Sequence, residues 1–181
     1  MIGRRRPAIA THAALLAIAW ALGLSVPVAS AEVSPDNLIP LSQFPREPLV
    51  IETRNARRHT FDAWRADTPA THEQGLMFVR GIADDRAMIF IYEPPARVSM
   101  WMKNTLIPLD LLFVDEAGCV TKVEHEAKPL TLALISAEGP VTLVVELKAG
   151  VAEKLGIGVG DRVQRPRAGW PAGAGACSGN H

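Results

Sequence analysis

The chain has 181 residues, 48% hydrophobic and 21% charged, a composition that fits one packed globular domain and excludes a disordered or fibrous chain. Its 19 basic and 19 acidic residues cancel, but Arg4, Arg5 and Arg6 all precede the first acid, Glu32; without those three arginines 16 basic residues face 19 acidic ones, a net charge of −3. No Lys/Arg run is interleaved with aromatics, so a nucleic-acid partner and an anionic membrane surface both lack electrostatic support.

Residues 1–31 read as a secretion signal. Arg4 to Arg6 form a charged start, an apolar run follows that is densest from Ala13 to Leu24, and Ala29-Ser30-Ala31 fits the small-x-small rule for signal peptidase. Pro27 stops the helix just before that site. The alternative is an uncleaved anchor, but the run is short for a bilayer span and a cleavage site follows it directly. The expectation is a periplasmic or secreted protein with no stable membrane anchor after cleavage. Both general and twin-arginine export fit, and no Cys at the cleavage point suggests a lipoprotein.

Residues 32–47 are proline-rich and read as an extended arm, before a domain over residues 48–165. Leu49 to Arg54 and His59 to Ala66 form a hairpin turning at Asn55-Ala56. Thr68 or Thr71 caps a short helix with Pro69 in its first turn. Ala87 to Tyr92 is an apolar strand, broken by Glu93-Pro94-Pro95, and Arg97 to Met102 alternates again. Lys103-Asn104-Thr105 is a turn by composition. Leu109 to Val114 and Cys119 to Glu126 pair around Asp115-Glu116-Ala117-Gly118. Pro129 to Pro140 is irregular, Val141 to Leu147 is a buried strand, Gly150 to Leu155 a short helix, and Arg162 to Gln164 a last strand. Residues 166–181 form a Gly/Ala/Pro-rich tail with the composition of a disordered segment. Strands about ten residues apart with two short helices predict a compact, mainly β domain, barrel-like, with an antiparallel or mixed sheet. No βαβ alternation is visible. Cys119 and Cys177 are the only cysteines; their settings suggest free thiols or a facultative bridge rather than a structural staple.

Two carboxylates stand out. Asp110 sits between Leu109 and Leu111, and a buried carboxylate needs a partner. Lys103 or the N–H groups of the Lys103-Asn104-Thr105 turn are the nearest in sequence. Asp110 either pins that turn or lines a polar pocket with Lys103. Glu146, within Val144-Val145-Glu146-Leu147, either faces solvent on a half-buried strand or converges with Asp110. Trp101, Met100, Met102, Met77 and Phe78 read as core. Alternation nonetheless puts Trp101 on the face opposite Met100 and Met102, where an exposed indole beside Lys103 and Asn104 would suit a sugar ring or another flat ligand. The histidines are scattered without metal spacing, no nucleophile elbow is present, and the Gly156 to Asp161 glycines precede a strand. No metal or cofactor is expected.

The segment Ser99-Met100-Trp101-Met102-Lys103-Asn104-Thr105-Leu106-Ile107-Pro108-Leu109-Asp110 is distinctive. Taken with Gly75-Leu76-Met77-Phe78, Val145-Glu146-Leu147, Ala149-Gly150 and Gly156 to Asp161, it resembles the DUF192 family of bacterial and archaeal proteins, many of them exported. The resemblance spans about residues 48–165 and implies a compact, mainly β fold with short helices; it implies no reaction. This chain departs from relatives in having Ala87 where many have Gly, Val79 where many have Arg, and Thr142-Leu143 where Tyr or Arg is common. The reading that follows is a binding or accessory module for a small molecule, a glycan or an envelope protein. Its candidate residues are Trp101, Lys103, Asn104, Thr105, Asp110 and Glu146. The alternative is a hydrolase or lyase using Asp110 and Glu146, with Lys103 as electrostatic stabiliser.

Overall fold

Runs of Val, Ile, Leu and Phe broken by Gly, Pro and Asp turns dictate strands here. In the computed structural model the described residues form nine: β1 (Arg46–Glu52), β2 (Arg58–Ala66), β3 (Arg86–Ala96), β4 (Ser99–Met100), β5 (Leu109–Val114), β6 (Val120–Ala127), β7 (Ile135–Ser136), β8 (Val141–Lys148) and β9 (Arg162–Gln164). Among the described residues two α-helices interrupt them, α1 (Pro69–Gln74) and α2 (Val151–Leu155). The structure describes residues 32–165 and Cys177. The expected secretion signal lies outside the described residues, as does the expected tail apart from Cys177. The chain divides into two units, Met1–Glu32 and Val33–His181, and the second is the one described.

Seven strands form one curled sheet in the order β6-β5-β8-β3-β2-β1-β9, while β4 and β7 pair separately. The sheet is mixed. All its pairs are antiparallel except β2 and β3, which run parallel and are joined through α1. One βαβ unit is therefore present where the sequence suggested none, because a six-residue helix is too short to show a period. The two edges of the sheet meet at one end. Cys119, just before β6, bridges Arg162 of β9, and Val163 N–H donates to Gly118 O at 2.8 Å. The result is a half-barrel with a seam.

Cys119 and Cys177 form a disulfide at that seam, with Cα atoms 5.5 Å apart. This corrects the expectation of two free thiols; of the two alternatives the sequence offered, a bridge is the one that forms. The two lie 58 residues apart in sequence, and the bridge forms where β9 returns to the start of β6.

The sheet separates two cores. On its inner face Leu49, Ile51, Phe61, Ile89, Leu112 and Val145 pack around Val151 and Ala152 of α2. On its outer face Met88, Phe90, Leu111, Phe113 and Val144 are covered by Phe44, Leu76, Met100 and Met102. Each fully buried Leu, Ile or Phe contributes roughly 1.5–3 kcal/mol, so both faces stabilise the fold. The segment expected as an extended arm belongs to the outer cover. It makes 3₁₀ turns at Pro35–Asn37 and Leu41–Gln43, and the buried Gln74 of α1 holds it by hydrogen bonds to both Ile39 N–H (2.7 Å) and Ile39 O (2.8 Å).

Candidate functional site

α1 begins where the sequence places it. Thr68 caps it, accepting from Thr71 N–H at 3.2 Å, and Pro69 opens its first turn. It ends at Gly75, whose φ of +47° suits glycine and whose added Cβ would lie 2.9 Å from Phe90 Cζ. The residues that follow turn toward the segment after β4. Phe78 N–H donates to Asn104 O at 2.8 Å, and the Asn104 amide contacts Met77 Sδ at 3.8 Å. Between these two walls lies a cleft of about 110 Å³.

The floor of the cleft is Glu146. It lies on the central strand β8, opposite Met88 of β3 and Leu111 of β5, and it points to their outer face. Glu146 is 4% exposed, and its Oε2 has no hydrogen-bond partner. Burial pushes its carboxyl up to about 8, so it is mostly protonated near neutrality. The reading of Glu146 as a solvent-facing residue is thus corrected. β8 has neighbours on both sides and cover on both faces, so alternation does not lead to water there.

Aromatic and thioether groups make the walls. Phe90 and Tyr92 follow Met88 along the same face of β3. The Tyr92 hydroxyl donates to Met100 Sδ at 3.7 Å, and burial, then the charge of Glu146, push its phenol up to about 12. His72 of α1 lies 4.9 Å from the Tyr92 ring and 5.8 Å from Phe90, with Nε2 2.9 Å from Ala66 O. A neutral His72 therefore carries its proton on Nε2, leaving Nδ1 as the acceptor. At the mouth Trp101 is 42% exposed, and Lys103 Nζ sits 5.3 Å from its ring centroid. Met100 and Met102 are buried, so the alternation that set Trp101 apart from them is observed.

Four of the six candidate residues, Trp101, Lys103, Thr105 and Glu146, line this one cleft. Thr105 is buried and braces its wall, donating its N–H to Met102 O and accepting from Leu130 N–H. Asn104, with φ +55°, stands behind the cleft and ties it to the turn at Phe78. Asp110 is elsewhere. Its register partner on β8 is Leu147, so it faces the inner core, opposite to Glu146. There Oδ1 accepts from Glu126 N–H at 2.9 Å and Oδ2 from Ala152 N–H at 2.9 Å. The first bond secures a bulge in β6, where the pairing shifts between Leu109 and Leu111; the second caps the start of α2. Neither Lys103 nor its turn supplies the partner that local spacing suggested, because α2 reaches Asp110 from 42 residues away. The convergent carboxylate pair that the hydrolase or lyase reading requires is not present. His72, Phe90 and Tyr92 were not marked by the sequence as site residues. The available signal was Tyr92, the chain's single tyrosine, two places after Phe90 at the end of an apolar strand.

A larger, shallower groove of about 480 Å³ runs along β1 and β2, and most of its charges are matched: Asp62 pairs with Arg46 and Arg86, and Glu47 with Arg165. Among the described residues no group of three or more His, Cys, Asp and Glu is placed to hold a metal ion. No described helix is long and apolar enough to cross a membrane.

The model of the DUF192 family, described as an uncharacterized ACR, matches residues 50–165. The chain belongs to the DUF192 family. The match contains β5, β8 and the whole 99–105 wall, and so most of the cleft. Two solved structures are similar to the chain. One is a protein of unknown function from Novosphingobium aromaticivorans, 34% identical with a TM-score of 0.67 over 74% of this chain and 94% of that one. The other comes from Sinorhizobium meliloti and was provisionally described as a transcription regulator; it is 37% identical with a TM-score of 0.66 over 67% of this chain and 95% of that one. No curated protein matches the chain at a significant level.

Proposed function

We propose that this DUF192 protein is exported and acts as a binding module for a small molecule or glycan, taken up in the cleft between α1 and the 99–105 segment. One observation carries the reading: Glu146 Oε2 is buried at the floor of that cleft without a partner. An unpaired buried carboxylate destabilises the fold, and a bound molecule offering a hydrogen bond removes that penalty. Trp101 at the mouth supplies a flat apolar surface for a ring. Export is supported by the sequence of residues 1–31 and by the Cys119–Cys177 disulfide, which suits an oxidising compartment. The regulator description of the Sinorhizobium relative is not carried over, since a net charge of −3 after signal removal gives DNA no electrostatic footing. The test is a thermal-shift screen of the purified exported protein against glycans, peptides and small molecules, with Trp101→Ala as control. The expected result is a hit that raises Tm in the wild type and is weakened in the variant; a screen with no hit dependent on Trp101 removes the reading.

A further inference from the structure

The cleft's chemistry narrows its occupant, and the narrowing rests on the binding reading above. We infer that the cleft selects small molecules bearing a primary ammonium group, which donates to Glu146 Oε2 while the rest of the ligand lies against Tyr92 and Trp101.

Three classes of group could meet a carboxyl at this position. A ligand carboxylate would bring a second negative charge to a dry floor, and it would be held only while Glu146 kept its proton. A neutral hydroxyl can meet the protonated form of Glu146, but it gives the ionised form no counter-charge. An ammonium does both, since it donates the missing hydrogen bond and neutralises the carboxylate in the same contact. The walls agree with this choice. Phe90, Tyr92 and Trp101 present ring faces and edges, and ring faces attract cations. Trp101 already holds one, the Lys103 ammonium at 5.3 Å. The thioethers of Met77 and Met100 add polarisable, uncharged surface.

Among the described residues, the other titratable groups facing the cleft are His72 and Glu73 of α1, Tyr92 of β3, and Lys103 of the 99–105 segment. Lys103 lies at the exposed mouth against the indole, while Glu73 on the opposite rim is an exposed acid. Among the described residues lining the cleft, Glu146 is the carboxylate at the floor. An arriving ammonium that converts a protonated Glu146 to the carboxylate sends one proton to solvent, so binding should release protons near neutral pH.

The experiment compares benzylamine, benzyl alcohol and benzoate, which share a ring and differ in the polar head. Binding is measured by calorimetry and by the shifts of the Trp101 indole and Met100 methyl signals, in the wild type and in Glu146→Gln. Benzylamine should bind at least about tenfold more tightly than benzyl alcohol, the step expected for a hydrogen bond to a charged group. Glu146→Gln should bring the two within a few-fold of each other. The wild-type ranking stands by itself if Glu146→Gln does not fold. Equal or tighter binding of benzyl alcohol or benzoate, or an amine preference that survives Glu146→Gln, overturns the ammonium assignment while leaving a cleft that binds. Absence of cleft shifts with all three probes also overturns it, and the broader thermal-shift screen then decides the binding reading separately.

Discussion

Asp110 and Glu146 lie on adjacent strands, nearly level with each other, and are both buried, yet they meet opposite fates. Asp110 faces the inner core and is saturated by two backbone N–H groups, one from a bulge and one from a helix start. Glu146 faces the outer core and has an oxygen that its own chain does not satisfy. The first carboxylate is part of the architecture, because removing it would orphan two donors. The second is tolerated at a cost, and it lies at the bottom of an opening. Burial of a charged residue therefore says little about function until its partners are counted.

The contrast can be tested by how each residue fails. Asp110→Ala should be the most damaging single change, costing about 2–4 kcal/mol in urea melts, because the buried Ala152 N–H and the part-buried Glu126 N–H lose their acceptor. A loss near zero would remove the architectural role. Reducing the Cys119–Cys177 disulfide, which holds the seam on the Asp110 side of the molecule, should cost about 2–4 kcal/mol and leave the Glu146 cleft intact. Melts with and without reductant, together with the Trp101 signal, would show both. Gly75→Ala should cost about 1–3 kcal/mol and displace Phe90, disturbing the cleft first.

Glu146→Gln should reverse the usual sign. Its carboxyl titrates near 8 in the folded chain against an ordinary 4.5, so the folded state keeps a proton that the unfolded state gives up across that window. The stability Glu146 allows is present in full below pH 4.5 and is lost as pH rises through 8. The glutamine variant should come within about 1 kcal/mol of the wild type at pH 5 and exceed it by up to about 4–5 kcal/mol at pH 9, measured by urea melts at both values. Greater stability of the wild type at pH 9 would mean that the chain supplies a partner after all. The smallest effect belongs to a third carboxylate. Asp84 is exposed and held down to about 2 by hydrogen bonds from Lys148 and Lys154. Its contribution is present above 3.8 and lost as pH falls through 2, and Asp84→Asn should leave a neutral-pH melt unchanged.

How much was legible follows from the range of each interaction. The β1–β2 hairpin, the Thr68 cap and the β5–β6 turn were readable because turn residues and alternation act within a few positions. The mainly β architecture and the DUF192 resemblance were readable for the same reason. The parallel β2–β3 pair, the seam and the disulfide were not, because each joins segments whose proximity is decided by the curled sheet as a whole. Asp110 was recognised as needing a partner, but the partner came from α2 rather than from the adjacent turn. For Glu146 the alternation rule misled. Val141 to Leu147 is nearly continuous in its apolar character, which is the mark of a strand covered on both faces, and that pattern outweighs the single alternating acid.

The link between Phe78 and Asn104 has a mechanical meaning. Both residues hold left-handed backbone, and one joins the other through its amide. The α1 side and the indole side of the opening are thus laced together, like two leaves of a door sharing one latch. Widening the entrance must either undo that latch or swing both leaves at once, so a change made behind one leaf should be felt by a guest resting on the other.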